Sequence, residues 1–121
     1  MGKEKNFEER IKKYLESKNA WYVKFFANAF TKSGIPDILV CLNGKFVAIE
    51  VKQETGKPSS LQEYHLRDIV KKGGIGIIAY PSGFCQLKRI ITLISLNQPI
   101  DRYIDSEKGY IECVIKKSKK T

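Results

Sequence analysis

Asp37, Glu50 and Lys52 are the residues whose types and spacing suggest chemistry. Two carboxylates held together offer hard oxygen ligands to a divalent cation, and an ammonium beside them offers a fixed positive charge. The sequence between them contains the device that would join them. Asn43-Gly44 is the strongest short-range hairpin signal, and it lies between two apolar runs. A two-residue loop there sets Leu42 opposite Lys45, Cys41 opposite Phe46, Leu39 opposite Ala48 and Asp37 opposite Glu50. Opposed residues of an antiparallel pair share a face, with Cβ atoms about 4.5–5.5 Å apart. Alternation adds Lys52 to that face and sends Val47, Ile49 and Val51 to the other, which reads as core. Like charges set opposite each other destabilise a sheet, and apolar neighbours push one carboxyl pKa up. A bridging cation removes the conflict. The plainer alternative is a Glu50–Lys52 surface pair with Asp37 merely opening a strand after Pro36, and a β-bulge would break the register altogether.

Two further residues border this site by helical arithmetic. In the first helix, Phe7, Ile11, Tyr14 and Leu15 define one face. Glu8 lies about 75° from its centre and Glu9 nearly opposite, so Glu8 can lean inward while Glu9 is solvated. Taken alone, Glu8 reads as an N-terminal acid favoured by the helix dipole. In a later helix Leu66, Ile69 and Val70 form the inner stripe, with Gln62 in its middle. A glutamine on an apolar face needs a polar partner or costs about 1–3 kcal/mol. That partner is a backbone carbonyl, the metal site or a nucleic-acid phosphate. His65, on the flank of the same helix, reads as a structural residue.

The elements that must position these residues follow from pattern. A helix is expected over Phe7–Lys18 with Asn6 as N-cap, then a strand over Trp21–Phe26. Ile38–Leu42 is a continuous apolar run, as in a strand buried on both faces, and Phe46–Lys52 returns from the turn. Ser59 or Ser60 caps a helix running to about Lys72, closed by Gly73-Gly74. A buried strand over Ile75–Tyr80, a helix over Phe84–Leu96 and a last strand within Tyr110–Ile115 complete the order. The fold class is α/β, a mixed central sheet with helices on its faces. The 121 residues make a single domain, 1–121, in which residues about 99–121 form a C-terminal extension with a basic tail.

Composition bounds the function. Apolar residues at 42% and charged residues at 29% are globular values, and no apolar run approaches the ~18–20 residues of a membrane span. The charged N-terminus is not that of a signal peptide, and a cytoplasmic protein is expected. Cys41, Cys85 and Cys113 fit neither a disulfide framework nor a zinc site and read as buried thiols. One histidine excludes multi-histidine metal centres, which leaves oxygen-ligated Mg²⁺ or Mn²⁺. The net charge of +9 favours a polyanionic partner. Lys24, Lys32 and Lys57, with Lys45 and the C-terminal lysines, are the candidates for holding a nucleic-acid backbone.

Gly34-Ile35-Pro36-Asp37 followed by Glu50-Val51-Lys52 resembles the PD-(D/E)xK nuclease signature. With the Glu8 helix before it, and Ser59–Gln62 then Gly73-Gly74 after it, residues 8 to about 80 resemble the virus-type replication-repair nuclease (VRR-NUC) domain. That resemblance implies a restriction-endonuclease-like fold and a bacterial or phage-encoded, metal-dependent DNA endonuclease acting on branched DNA such as junctions or flaps, usually as a homodimer. It implies Asp37, Glu50 and the carbonyl of Val51 as metal ligands, with Glu8 completing the set directly or through water. Lys52 would orient the attacking water or stabilise developing charge, and Gln62 would support the site. The alternative is a non-catalytic DNA-binding protein on the same scaffold.

Overall fold

The computed structural model describes residues 3–26 and 33–115. Three helices and five strands follow in the order α1 (Lys3–Ser17), β1 (Trp21–Lys24), β2 (Ile38–Leu42), β3 (Lys45–Val51), α2 (Ser60–Lys71), β4 (Ile75–Ala79), α3 (Phe84–Ser95) and β5 (Ile111–Cys113). The strands form one sheet in sequence order. β1, β2 and β3 are antiparallel neighbours, while β4 and β5 run parallel to β3. This is the expected mixed α/β sheet with helices on both faces.

The Asn43-Gly44 turn has φ of +52° and +76°, the two left-handed residues of a type I′ turn. It locks the expected register: Leu42 pairs Lys45, Cys41 pairs Phe46 and Leu39 pairs Ala48. One face of the sheet carries the larger core, where Ile38, Val40, Val47, Ile49, Val51 and Ile77 meet Phe7, Ile11 and Leu15 of α1 and Leu87, Ile90 and Ile91 of α3. Full burial of each such side chain is worth roughly 1.5–3 kcal/mol. The other face packs Ile78 and Tyr80 under Leu66 of α2, together with Tyr110. β3 is therefore covered on both sides, which explains its continuous burial from Val47 to Val51.

Two expectations are corrected. Asn6 is not an N-cap: the helix begins a turn earlier, because Lys3-Glu4-Lys5 are strong helix formers that extend it past Asn6. Only Cys113 is a buried thiol, with its pKa pushed up to about 12 by burial and then by Glu112. Cys41 and Cys85 are exposed. Cys41 stands between Trp21 and Phe46 on a part of the sheet away from β4, where α2 makes most of its contacts, and Cys85 faces solvent from α3. The last strand expected within Tyr110–Ile115 is β5, which completes the sheet, and Ile100, Tyr110, Ile111 and Cys113 of the C-terminal stretch are buried. The basic tail from Lys116 onward lies outside the described residues.

Candidate metal centre

Asp37 sits one residue before β2, at the end of the ladder, where it replaces missing rungs on both sides. Its carbonyl accepts from the Phe25 N–H at 2.8 Å, toward β1. Its Oδ2 accepts from the Val51 N–H at 2.9 Å, toward β3. The side chain thus stands in for a backbone partner beyond the last regular pair, Ile38 with Ile49. In an extended strand the N–H and C=O of one residue leave toward the same neighbour. Val51's carbonyl accordingly opens on the Asp37 side.

Glu50 is 2% exposed. Its Oε2 accepts from Gln62 Nε2 at 3.0 Å and lies 3.4 Å from Lys52 Nζ. Its Oε1 is buried and accepts no hydrogen bond. Burial above all, and then the charge of Asp37 and a hydrogen-bond contact with it, push the Glu50 carboxyl up to about 8, while Lys52 pulls the other way. The carboxylate conflict expected from the hairpin is therefore present, and Glu50 bears it.

Gln62 resolves its three open partners in favour of Glu50. Its orientation is fixed from the other end too: Gln62 Oε1 accepts from the Ser59 N–H at 2.8 Å, and Ser59 Oγ accepts from the Gln62 N–H at 3.2 Å. This is a reciprocal capping box, so the start of α2 and the support of Glu50 are one structure.

Glu8 enters from α1 on the opposite face. It is 9% exposed, against 52% for the Glu9 side chain, as the helical arithmetic requires. It does not join Asp37 and Glu50 directly. Lys24 Nζ lies between, 2.7 Å from Glu8 Oε1 and 3.3 Å from Asp37 Oδ1, and Lys12 Nζ lies 3.4 Å from Glu8 Oε2. Burial of Lys24 works against its charge, but the Glu8 hydrogen bond and the charge of Asp37 outweigh it and hold its pKa above the ordinary value. Lys24, expected on a nucleic-acid backbone, is thus drawn in among the acids. Nothing in the sequence signals this, because no tight turn ties β1 to β2. Lys57 is exposed on the connection between β3 and α2 and lines a cavity of about 460 Å³ with Glu63, Tyr80 and Tyr110. Lys32 lies outside the described residues.

Neither a family model, nor a curated protein, nor a solved structure matches this chain. The assignment of chemistry therefore rests on the site alone. Among the described residues no three His, Cys, Asp or Glu side chains converge on one point. What converges is a pair of carboxylates, Asp37 and Glu50, with the carbonyl of Val51 on the same side and an ammonium, Lys52, beside Glu50. This donor set suits Mg²⁺ or Mn²⁺, which take one or two carboxylates and complete their shell with water or substrate oxygens. Glu50 Oε1 is buried and accepts no hydrogen bond, so once Glu50 is ionised a hard cation would satisfy an oxygen that the protein leaves unpartnered.

Proposed function

We propose that the protein is a Mg²⁺- or Mn²⁺-dependent DNA endonuclease of the PD-(D/E)xK type, acting on branched or otherwise structured DNA. The observation that carries this reading is the adjacency of Asp37 and the buried, under-satisfied Glu50, with Lys52 beside them. Asp37, Glu50 and the Val51 carbonyl would hold the ion, with Glu8 contributing through water. A divalent ion in such a site lowers the pKa of bound water and neutralises charge on the scissile phosphate.

The chain's own residues supply the rest. Lys52, tethered to Glu50, places a fixed positive charge where negative charge grows on the phosphate. Gln62 holds one oxygen of Glu50 in place and leaves the other free to act as a ligand. Asp37 is anchored through Oδ2 by the Val51 N–H, which holds its carboxylate at the end of the ladder. The excess of 22 Lys+Arg over 13 Asp+Glu provides shape-based, salt-sensitive attraction for the DNA backbone. A homodimer acting in the cytoplasm belongs to the same proposal. Trp21, Cys41 and Phe46 form an exposed row across β1, β2 and β3 that a second copy could cover. No helix among the described residues is long and apolar enough to cross a membrane.

One observation favours the second reading, a DNA-binding protein without catalysis. The Lys24 ammonium stands where Glu8 would otherwise approach Asp37. A panel of four-way junction, flap and linear DNA, incubated with Mg²⁺ and with EDTA, separates the two. The nuclease reading expects metal-dependent incision of at least one branched substrate and none in chelator. Binding to every substrate without incision of any would select the second reading.

A further inference from the structure

Lys24 is the feature of the site that the proposed chemistry leaves unused. Its side chain points from β1 toward the α1 face, paired in register with Ile38, and its ammonium bridges Glu8 and Asp37. Without it, Glu8, itself nearly buried, would face Asp37 as a second acid with no intervening cation. Lys12 reaches Glu8 from the other side at 3.4 Å, so Glu8 keeps one cation partner if Lys24 leaves. Asp37 likewise keeps its Val51 N–H. Lys24 is therefore removable without stripping either acid of all its contacts. The exposed ring of Phe26 lies 6.0 Å from the ammonium where it bridges the two acids.

We propose that Lys24 is a built-in placeholder cation: in the metal-free protein its ammonium occupies the gap between Glu8 and Asp37, and a divalent ion bound at Asp37 displaces it toward solvent, where it pairs with a phosphate of the bound strand. This rests on the metal reading of Asp37 and Glu50 above. The physical reason is the sign of the charges. An ammonium within 3.3 Å of Asp37 Oδ1 and a divalent cation on the same carboxylate repel strongly in a partly buried setting. One must move, and the lysine is the mobile one. The lysine keeps the acids apart from each other's charge when no ion is present, and it becomes available for DNA when one is. Metal and DNA would then bind with positive coupling through one side chain.

The test is calorimetric titration of the full-length protein with Mn²⁺, without DNA, for wild type, Lys24→Met and Lys24→Arg. The placeholder role expects Lys24→Met to bind Mn²⁺ about 10-fold more tightly than wild type, a gain of about 1.4 kcal/mol, and Lys24→Arg to bind about as wild type does. Equal or weaker binding by Lys24→Met would overturn it. No Mn²⁺ binding by wild type would instead overturn the metal reading itself, so the two failures are distinct. Should Lys24→Met not fold, NMR of the wild-type lysine side chains answers the same question. Saturating Mg²⁺ should shift the Lys24 ε-methylene signal toward that of an exposed lysine, and an unmoved signal would overturn the proposal.

Discussion

Keeping Glu50 at 2% exposure beside Asp37 carries a penalty that depends on pH. Its folded pKa is raised from 4.5 to about 8, so the folded state holds a proton that the unfolded chain releases. The associated stability is complete below the unfolded value and is lost as pH rises through about 8. In EDTA the melting temperature should therefore fall between about pH 5 and pH 8. Glu50→Gln should flatten that slope, and an unchanged slope would show that another group sets it. Mg²⁺ should stabilise the protein more at pH 8 than at pH 6, because the ion requires the ionised carboxylate. Gln62→Ala removes both a donor to Glu50 and half of the capping box, and we expect a loss of about 1–2 kcal/mol in chemical denaturation. These roles were partly legible in the sequence: the turn set Asp37 against Glu50, and the helical stripe exposed Gln62 as a polar misfit. The role of Lys24 was not legible, since its meeting with Glu8 depends on two elements whose mutual placement no local pattern encodes.

At the scale of elements, Gly34 ties the Asp37 loop to the start of α2. It has φ +79°, and a Cβ there would stand 2.8 Å from the Leu61 carbonyl carbon and 2.9 Å from the Gln62 nitrogen. Gly34→Ala meets both strain and backbone collision, so we expect about 1–3 kcal/mol of destabilisation and a weaker Gln62–Glu50 link. A denaturation midpoint within error of wild type would contradict this. Strands and helices with local signals were read almost to the residue. Ile38–Leu42 was flanked by Pro36 and the turn, and α2 by Ser59 and Gly73. The start of α1 and the integration of β5 were harder. The first depends on helix propensity overriding a favourable capping residue. The second depends on parallel pairing with β4 across the long segment from Pro81 to Tyr110.

Across the whole molecule, the charge of +9 predicts binding that is sensitive to salt. If about 4–6 phosphates are neutralised, junction affinity should fall by roughly 10²–10³ between about 50 and 200 mM salt. A flat response in fluorescence anisotropy would rule out a backbone-dominated interface. The exposed Trp21 and Phe46, 63% and 45% accessible, give the proposed dimer a testable face. Phe46→Glu should shift sedimentation toward the monomer while leaving the circular dichroism spectrum unchanged. The exposed apolar row was the least legible feature, because it appears only once the position of α2 is known. The central claim is that Asp37 and Glu50 hold a divalent ion that makes strand cleavage possible. The most direct test is the incision rate of a four-way junction in Mg²⁺ by wild type and Asp37→Asn, with junction affinity measured alongside. We predict that Asp37→Asn loses incision by at least about 10²-fold while binding the junction within about threefold of wild type. Undiminished incision by Asp37→Asn, or incision by wild type that continues in EDTA, would contradict the account.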